Sequence, residues 1–344
     1  MRVYLYILLI ACVPFGAHAE SQTFNIYDFQ FESGAVLPEL RVSYETHGKL
    51  NAGRDNAILL VHGTEGDRHG FDPIIGPGKT FDTEKNFVIT VDTIGGGDSA
   101  SPKDGLGQDF PRYTIRDMVT AQHALVSRAL ELSTLRAVGG VGMGSFVSIE
   151  WGIHHPEMTR SLILLSPTPK AEANFQLIID LMTSVIALDP EWQGGRYAHN
   201  PVEGLRLAGM LYYPWVVSAP YIARLPAKQL ARELQESARS FADWDANSLV
   251  LRYAACRAHD ISAPFGGDMT MALSQITAPT LVLPSASDRL LGLDGAHRLR
   301  DGIKRASYSE IPSDLGHRAA RAVPGTPEGD FIAHQIRAFL AKIE

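Results

Sequence analysis

The strongest constraint on the fold is a repeated order of buried strand, glycine-rich turn and helix. The run Ala57–Val61 is apolar at every position and ends at His62-Gly63, which is typical of a strand buried on both faces. Strands that alternate with helices form a mostly parallel sheet covered on both faces, and ligands bind at the carboxyl ends of its strands. We therefore predict an α/β fold, with further strands at 86–91, 135–138, 161–165 and 279–283.

Helical patterns fill the intervals between these strands. Thr114 is predicted to cap one helix, and others are predicted from about Phe146 to His155 and from Asp330 to Ile343. Residues 171–271 carry helical patterns with little strand signal, and the sheet pattern resumes after them. This favours a helical cap inserted over the carboxyl ends of the strands, where a ligand would bind, rather than a second independent domain. The predicted core then consists of residues 20–170 and 272–344.

The N-terminus has the order of a secretory signal peptide at residues 1–19. Met1-Arg2 is followed by an apolar run from Val3 to Ile10 and by Ala17-His18-Ala19. The run is shorter than the roughly 20 residues that cross a bilayer, so we expect no stable membrane span. A lipobox-like sequence ending at Cys12 is the alternative, although the site after Ala19 competes well with it. We expect an exported protein, periplasmic or secreted.

Charge and cysteine content restrict the partners. The formal net charge is −7, and no Lys/Arg run occurs, so we expect a small-molecule partner and no nucleic acid. Cleavage after Ala19 would leave Cys256 as the sole cysteine, without an intramolecular disulfide. Its small neighbours favour a buried structural role over a nucleophilic one. No cofactor or metal is expected.

A nucleophile-elbow pattern lies at Gly140–Gly144. Such an elbow is a tight strand-to-helix turn in which glycines flank a central serine. Gly140 and Gly144 are the flanking glycines here, but the central residue is Gly142. Ser145 lies three residues farther on, about 300° around a helix, so its side chain should point away from the elbow centre.

Asp288 and His317 follow the elbow in the order acid and then base, which is typical of α/β-hydrolases. Asp288 lies in a loop after a predicted strand, and His317 lies in a loop before the last helix. Taken alone, Asp288 would be interpreted as a turn residue and His317 as a surface histidine. Together, and in this order, they are predicted to be the acid and base of a catalytic triad.

With other dispersed motifs, these residues resemble the homoserine O-acetyltransferase family of the α/β-hydrolase superfamily, from about Phe31 to the C-terminus. The motifs are Leu37-Pro38-Glu39-Leu40, Tyr44-Glu45-Thr46-His47-Gly48, Gly76-Pro77-Gly78-Lys79, Asp109-Phe110-Pro111, Thr114-Ile115-Arg116-Asp117-Met118, Asp189-Pro190-Glu191-Trp192, Ser287-Asp288-Arg289-Leu290 and Gly316-His317.

The resemblance implies an α/β-hydrolase fold and a small acyl substrate. In that family the elbow serine attacks an acyl-CoA, and the acyl group then passes to a substrate hydroxyl. The resemblance aligns the serine with Gly142, the acid with Asp288 and the base with His317. It also implies oxyanion-hole amides at Thr64 and Met143. Family members often pair through their cap helices, so a homodimer is one of the open oligomeric states.

The chain departs from the family in three respects. Gly142 has no oxygen that could carry an acyl group, and loss of a triad nucleophile costs roughly six orders of magnitude in turnover. Met182-Thr183 occupy the place where the family usually has a Gln-Arg pair, whose arginine faces the amino-acid carboxylate. Export also differs from the cytoplasmic setting of methionine synthesis.

Three functional hypotheses follow. The first is a hydrolase or acyltransferase in which His317, oriented by Asp288, activates water without a covalent intermediate. The second is a pseudoenzyme that binds a small ligand in the capped pocket. The third is a sporadic or engineered glycine at position 142 of an otherwise active acyl-transferring enzyme.

Overall fold

An eight-stranded sheet runs through the molecule in the computed structural model, which describes residues 21–343. The strands are β1 (Gln22–Gln30), β2 (Val36–His47), β3 (Ala57–Val61), β4 (Phe87–Val91), β5 (Ala137–Val141), β6 (Leu162–Leu165), β7 (Thr280–Leu283) and β8 (Ala306–Tyr308). Their order in the sheet is β1-β2-β4-β3-β5-β6-β7-β8; β1 and β2 pair antiparallel, β2 pairs antiparallel with β4, and all other neighbours are parallel. The predicted α/β fold with a mostly parallel sheet is therefore confirmed.

The central strands are buried because helices cover both faces of the sheet. Successive strand residues point to opposite faces. Leu59 and Val61 of β3 accordingly pack into one apolar core, and Ile58 and Leu60 pack into the other. This double burial explains why β3 reads as a continuous apolar run.

Ten α-helices lie within residues 21–343. Thr114 caps the first of them as predicted, since its Oγ1 accepts a hydrogen bond from the Asp117 amide at 3.2 Å. The helices are α1 (Ile115–Ala124), α2 (Met143–His154), α3 (Ala173–Ala187), α4 (Val202–Val216), α5 (Ala219–Arg224), α6 (Ala227–Ala242), α7 (Ala246–Arg257), α8 (Met269–Ser274), α9 (Asp294–Gly302) and α10 (Pro327–Leu340).

Helices α3 to α8 form one insertion between β6 and β7, which covers the predicted cap at 171–271 and extends three residues beyond it, to the end of α8 at Ser274. Tyr212 of α4 and Ser240 of α6 line the same cavity as Gly63, which follows β3, and Gly142, which follows β5. The insertion therefore lies over the carboxyl ends of these strands. None of the helices within the described range is both long enough and apolar enough to cross a membrane. The predicted leader at 1–19 and Cys12 lie outside that range.

Candidate active site

The nucleophile-elbow pattern folds as a sharp turn between β5 and α2. Gly142 occupies the turn with a φ of +54°, a conformation that L side chains rarely adopt. A β-carbon on Gly140 would lie 2.2 Å from backbone atoms of Gly144, and one on Gly144 would lie 1.9 Å from the carbonyl oxygen of Val61. Only glycine at positions 140 and 144 permits the two backbone segments to cross so closely.

The central position has different surroundings because it faces the histidine. A β-carbon built on Gly142 would lie 3.3 Å from Nε2 of His317, and its other contact within 4 Å would also be with that ring. Both residues line one cavity. The structure thus brings the elbow centre and the predicted base together.

Asp288 holds the histidine in a fixed orientation. Its Oδ1 accepts hydrogen bonds from the amides of Leu290 and Leu291 at 2.8 and 3.1 Å, and its Oδ2 lies 2.7 Å from Nδ1 of His317. The side chain of Asp288 is only 1% exposed. Because Nδ1 donates to this carboxylate, Nε2 is the ring nitrogen that can take a proton on the side of Gly142.

The environment of His317 favours its protonated form. Burial acts to lower its pKa, but the charge and hydrogen bond of Asp288 outweigh burial, so the pKa lies above the ordinary value of 6.5. A base with this pKa is neutral only on the alkaline side of that value. His317 lies on a short 3-10 helix, Gly316–Arg321, in place of the predicted loop. Ser287 joins this helix to the loop of Asp288, since its Oγ accepts from the Gly316 amide at 3.0 Å and donates to the Ser313 carbonyl at 2.7 Å.

Thr64 and Met143, the predicted oxyanion-hole residues, occupy the turns after β3 and β5. Neither amide donates a hydrogen bond to another atom of residues 21–343. Met143 is the first residue of α2, and amides in the first turn of a helix lack intrahelical acceptors. Thr64 itself lines the cavity. Both N–H groups therefore lack an acceptor among residues 21–343, and that of Thr64 belongs to a residue of the cavity wall.

Two buried side chains, His62 and Arg252, hold the Thr64 loop in place. The ring of His62 accepts from the Thr93 amide at 3.1 Å, and its Nδ1 lies 2.7 Å from the carbonyl of the next residue. Burial lowers the pKa of His62 to about 4, so the ring is neutral at neutral pH. Arg252 of α7 donates to the carbonyls of Thr64 and Gly66 at 2.9 and 3.1 Å. Sequence reasoning missed Arg252, since no motif marks it.

Three other residues considered in the sequence, Ser145, Cys256 and Met182, do not line the cavity. Ser145 is buried, and its Oγ donates to the carbonyl of Gly142 at 2.6 Å, so it does not face His317. Cys256 is also buried, and burial raises the pKa of its thiol to about 12. The thiol is therefore protonated at neutral pH. Met182 is buried in the apolar core.

The cavity that contains Gly142 and His317 has a volume of about 320 Å³, which suits a small organic ligand. Its floor comes from the turns after β3 and β5, as the sequence predicts, whereas its upper wall comes from the insertion and from the helical turn that carries His317. Sequence reasoning did not find the residues of this upper wall, which are Tyr212, Val216, Ser240, Arg318 and Arg321.

One group outside the cavity has the composition of a metal site. Ligand atoms of Glu45, His47 and Asp72 all lie within 4.8 Å of one another. However, Glu45 already accepts a hydrogen bond from Arg68 at 3.1 Å, which supplies its counter-charge. We assign no metal to this group.

Comparison with known proteins places this geometry in a family. Residues 56–319 match the family model of the alpha/beta hydrolase fold. The homoserine O-acetyltransferase of Caulobacter vibrioides is 32% identical over 334 residues, covering 84% of this chain and 87% of that protein. The solved structure of the acetyl esterase MekB covers 94% of this chain and 98% of its own, with a TM-score of 0.88 and 26% identity. Homoserine O-acetyltransferase from Bacillus anthracis has a TM-score of 0.85 and 26% identity, covering 95% and 99%. The chain therefore belongs to the α/β-hydrolase fold family, as a homoserine O-acyltransferase-like member.

Proposed function

We propose that the protein hydrolyses small acyl esters with a water molecule activated by His317, without an acyl-enzyme. The observation that carries this proposal is the position of Nε2 of His317, which faces the elbow centre at a place where Gly142 provides no nucleophile. The resemblance aligns Gly142 with the serine of the family. A water molecule next to Gly142 would then occupy the position of that serine's hydroxyl group.

The reaction follows from the groups in the cavity. His317 Nε2 takes a proton from water as the oxygen attacks the ester carbonyl, and Asp288 stabilises the imidazolium that forms. The amides of Thr64 and Met143 donate to the oxyanion of the tetrahedral intermediate. Collapse of the intermediate breaks the bond to the alkoxide, which receives the proton from His317. The products are the carboxylic acid and the alcohol.

The neighbours support ester chemistry in this fold. One solved neighbour is described as an acetyl esterase and another as a homoserine O-acetyltransferase, so the architecture accommodates both water and an alcohol as acyl acceptor. We propose water for this chain because Gly142 cannot hold the acyl group while an acceptor alcohol binds.

A second candidate is a catalytically impaired protein that binds a small ligand in the capped cavity. The absence of a side chain at Gly142 favours this candidate too. The amides of Thr64 and Met143, the ring of His317 and the cap could bind a ligand without any nucleophile. Such a protein would be stabilised thermally by ligand and would show no turnover.

The test measures the rate at which short acyl esters are hydrolysed by the wild-type protein, by His317→Ala and by the control His334→Ala. His334 is an exposed histidine of α10. We expect wild-type and His334→Ala to hydrolyse ester at the same rate and His317→Ala to fall at least 100-fold, as for loss of a general base. Hydrolysis that is unaffected by His317→Ala would refute the proposal. Ligand-dependent stabilisation without turnover would favour the binding protein.

Gly142→Ser tests the assignment of the elbow centre. A serine there would place its Oγ beside Nε2 of His317, so we expect faster ester hydrolysis and covalent labelling by a serine-directed phosphonate. The matched control is Gly142→Ala, which adds the same β-carbon without the oxygen. A folded Gly142→Ser protein that neither labels nor turns over faster would contradict the alignment of Gly142 with the serine.

We also propose export, on the basis of the N-terminal sequence. A chain processed after Ala19 would begin at Glu20. Mass spectrometry of the protein from a native cell envelope or medium measures this end directly. An N-terminus at Met1 in the cytoplasm would refute export, and a lipid on Cys12 would support the alternative processing.

A further inference from the structure

The cavity wall next to the catalytic pair carries an arginine without a counter-charge. His317, Arg318 and Arg321 lie on one 3-10 helix, Gly316–Arg321, and all three line the cavity that contains Gly142. Both arginines also line the adjoining cavity beneath α6, of about 200 Å³. The 3-10 helix therefore lines both the cavity in which the ester would react and the adjoining cavity.

The charge of Arg318 is balanced within the protein. Its Nη1 donates to Glu233 Oε2 at 3.0 Å, and Tyr213 donates to the same oxygen at 3.0 Å. The other oxygen of Glu233 accepts from Tyr221 at 2.8 Å and from Gln229 at 3.0 Å. Four donors thus occupy this carboxylate.

The remaining acids of the two cavities are also engaged. Glu65 accepts a hydrogen bond from the hydroxyl of Tyr253. Glu236 lies 3.7 Å from Arg232, one turn away on α6. These two carboxylates consequently have partners other than Arg321.

Arg321 makes no hydrogen bond or ion pair with any residue between 21 and 343. A guanidinium group presents five N–H donors in a planar fork that matches the two oxygens of a carboxylate. Most arginines on a surface are satisfied by water alone. Arg321 differs in its position, because it lines the compartment in which the ester would react. Arg318 beside it is already paired with Glu233.

We propose that Arg321 is a specificity-determining residue that binds a carboxylate on the substrate. The preferred substrate class is then an ester that carries a free carboxylate, in either its acyl or its alcohol portion, rather than a neutral ester. The substrate preference in this inference rests on the proposed hydrolytic function, whereas the binding of an anion to Arg321 does not. The carboxylate binds Arg321 while the ester carbonyl lies between Gly142 and His317.

The experiment measures turnover and binding separately. Turnover is compared for monomethyl succinate and the neutral dimethyl succinate, and binding is measured by calorimetry with succinate dianion. The variants are Arg321→Gln, Arg321→Lys and the matched control Arg337→Gln, which removes an exposed arginine of α10 that does not line either cavity.

We expect Arg321→Gln to lower kcat/KM for the anionic ester and the affinity for succinate about 10- to 100-fold, the effect of one charge-assisted pair. The neutral ester should change less than about threefold, and Arg321→Lys should recover part of the loss because it keeps the charge. The proposal would be overturned if Arg321→Gln lowered kcat/KM equally for both esters, or if Arg337→Gln caused the same loss as Arg321→Gln. Succinate binding that depends on Arg321 without any turnover would refute the hydrolytic function and leave the carboxylate site standing.

Discussion

At the scale of single residues, the three elbow glycines have different physical roles. Gly140 and Gly144 permit a close crossing of backbone, whereas a β-carbon added at Gly142 would meet only the ring of His317. Glycine spacing in the sequence reveals the turn, and the order of Asp288 and His317 reveals their association. The sequence does not reveal that Arg252 supports the Thr64 loop or that Arg321 lines the cavity, because these contacts depend on how distant segments pack.

The glycines provide the first prediction. We expect Gly144→Ala to lower the free energy of unfolding by about 3 kcal/mol or more, since its methyl group would overlap the Val61 carbonyl. Gly142→Ala should cost less, about 1 to 3 kcal/mol, which is the strain of a sparsely populated backbone conformation at positive φ. Urea denaturation of both variants checks this order. A Gly144→Ala protein as stable as Gly142→Ala would show that the backbone crossing is less close than described.

Asp288→Asn tests the electrostatics of the pair. The substitution removes the charge that raises the pKa of His317 and leaves the burial that lowers it, so the pKa should fall below 6.5. In the wild-type protein, loss of the neutral base should reduce hydrolysis as the pH drops through a value above 6.5. NMR titration of the His317 side chain measures both pKa values, and a pKa unchanged in Asp288→Asn would contradict the assignment.

At the scale of elements, the prediction from sequence is most accurate for the strands β3, β4, β6 and β7, whereas β5, predicted at 135–138, lies at Ala137–Val141. The limits of β3 are those predicted, and those of β6 and β7 differ by one residue. The antiparallel strands β1 and β2 are not predicted, because exposed residues interrupt their apolar positions and the alternation in β1 is broken at Asp28, which has a φ of +52°. Helix α2 begins at Met143, earlier than the predicted Phe146, because the glycine turn leads directly into it.

Helix α3 of the insertion exposes an apolar stripe that bears on oligomerisation. Leu177 and Leu181 are 52% and 40% exposed, and they lie one turn apart. We expect the protein to form a homodimer through this face, since burial of such side chains drives association. Leu177→Glu with Leu181→Glu should give a monomer in analytical ultracentrifugation. Val323→Glu, at a residue 52% exposed outside the insertion, is the control and should leave the dimer intact.

At the scale of the whole molecule, several histidines are less basic than in the unfolded chain. Burial is the largest cause and lowers the pKa of His47, His62, His123, His155 and His259, to about 4 for His62 and His155. Sequence alone could not give this property, because burial of each ring depends on the tertiary structure. His317 is the exception, with a raised pKa.

These histidines make the fold sensitive to acid. Below pH 6.5 the unfolded chain binds more protons than the folded protein, so the free energy of unfolding falls as the pH drops towards 4. His62 alone should cost about 2 kcal/mol between pH 7.5 and pH 5. His317 acts in the opposite sense, because its raised pKa contributes stability that is present below pH 6.5 and is lost as the pH rises through its folded value.

Thermal or urea unfolding at pH 7.5 and pH 5 measures the net effect. We expect a lower melting temperature at pH 5, and a smaller difference between the two pH values in His155→Gln, which removes one titrating ring. Stability that is equal or higher at pH 5 would show that these rings are accessible to protons in the folded protein.

The backbone crossing at the elbow has a consequence for how this site can change over time. The close crossing involves Gly140, Gly144 and Val61, whereas a side chain at position 142 would point at His317. The close crossing therefore does not depend on which side chain occupies position 142. A glycine codon and a serine codon can differ by one base, so a lineage could gain or lose covalent catalysis in a single mutational step while retaining the same pocket.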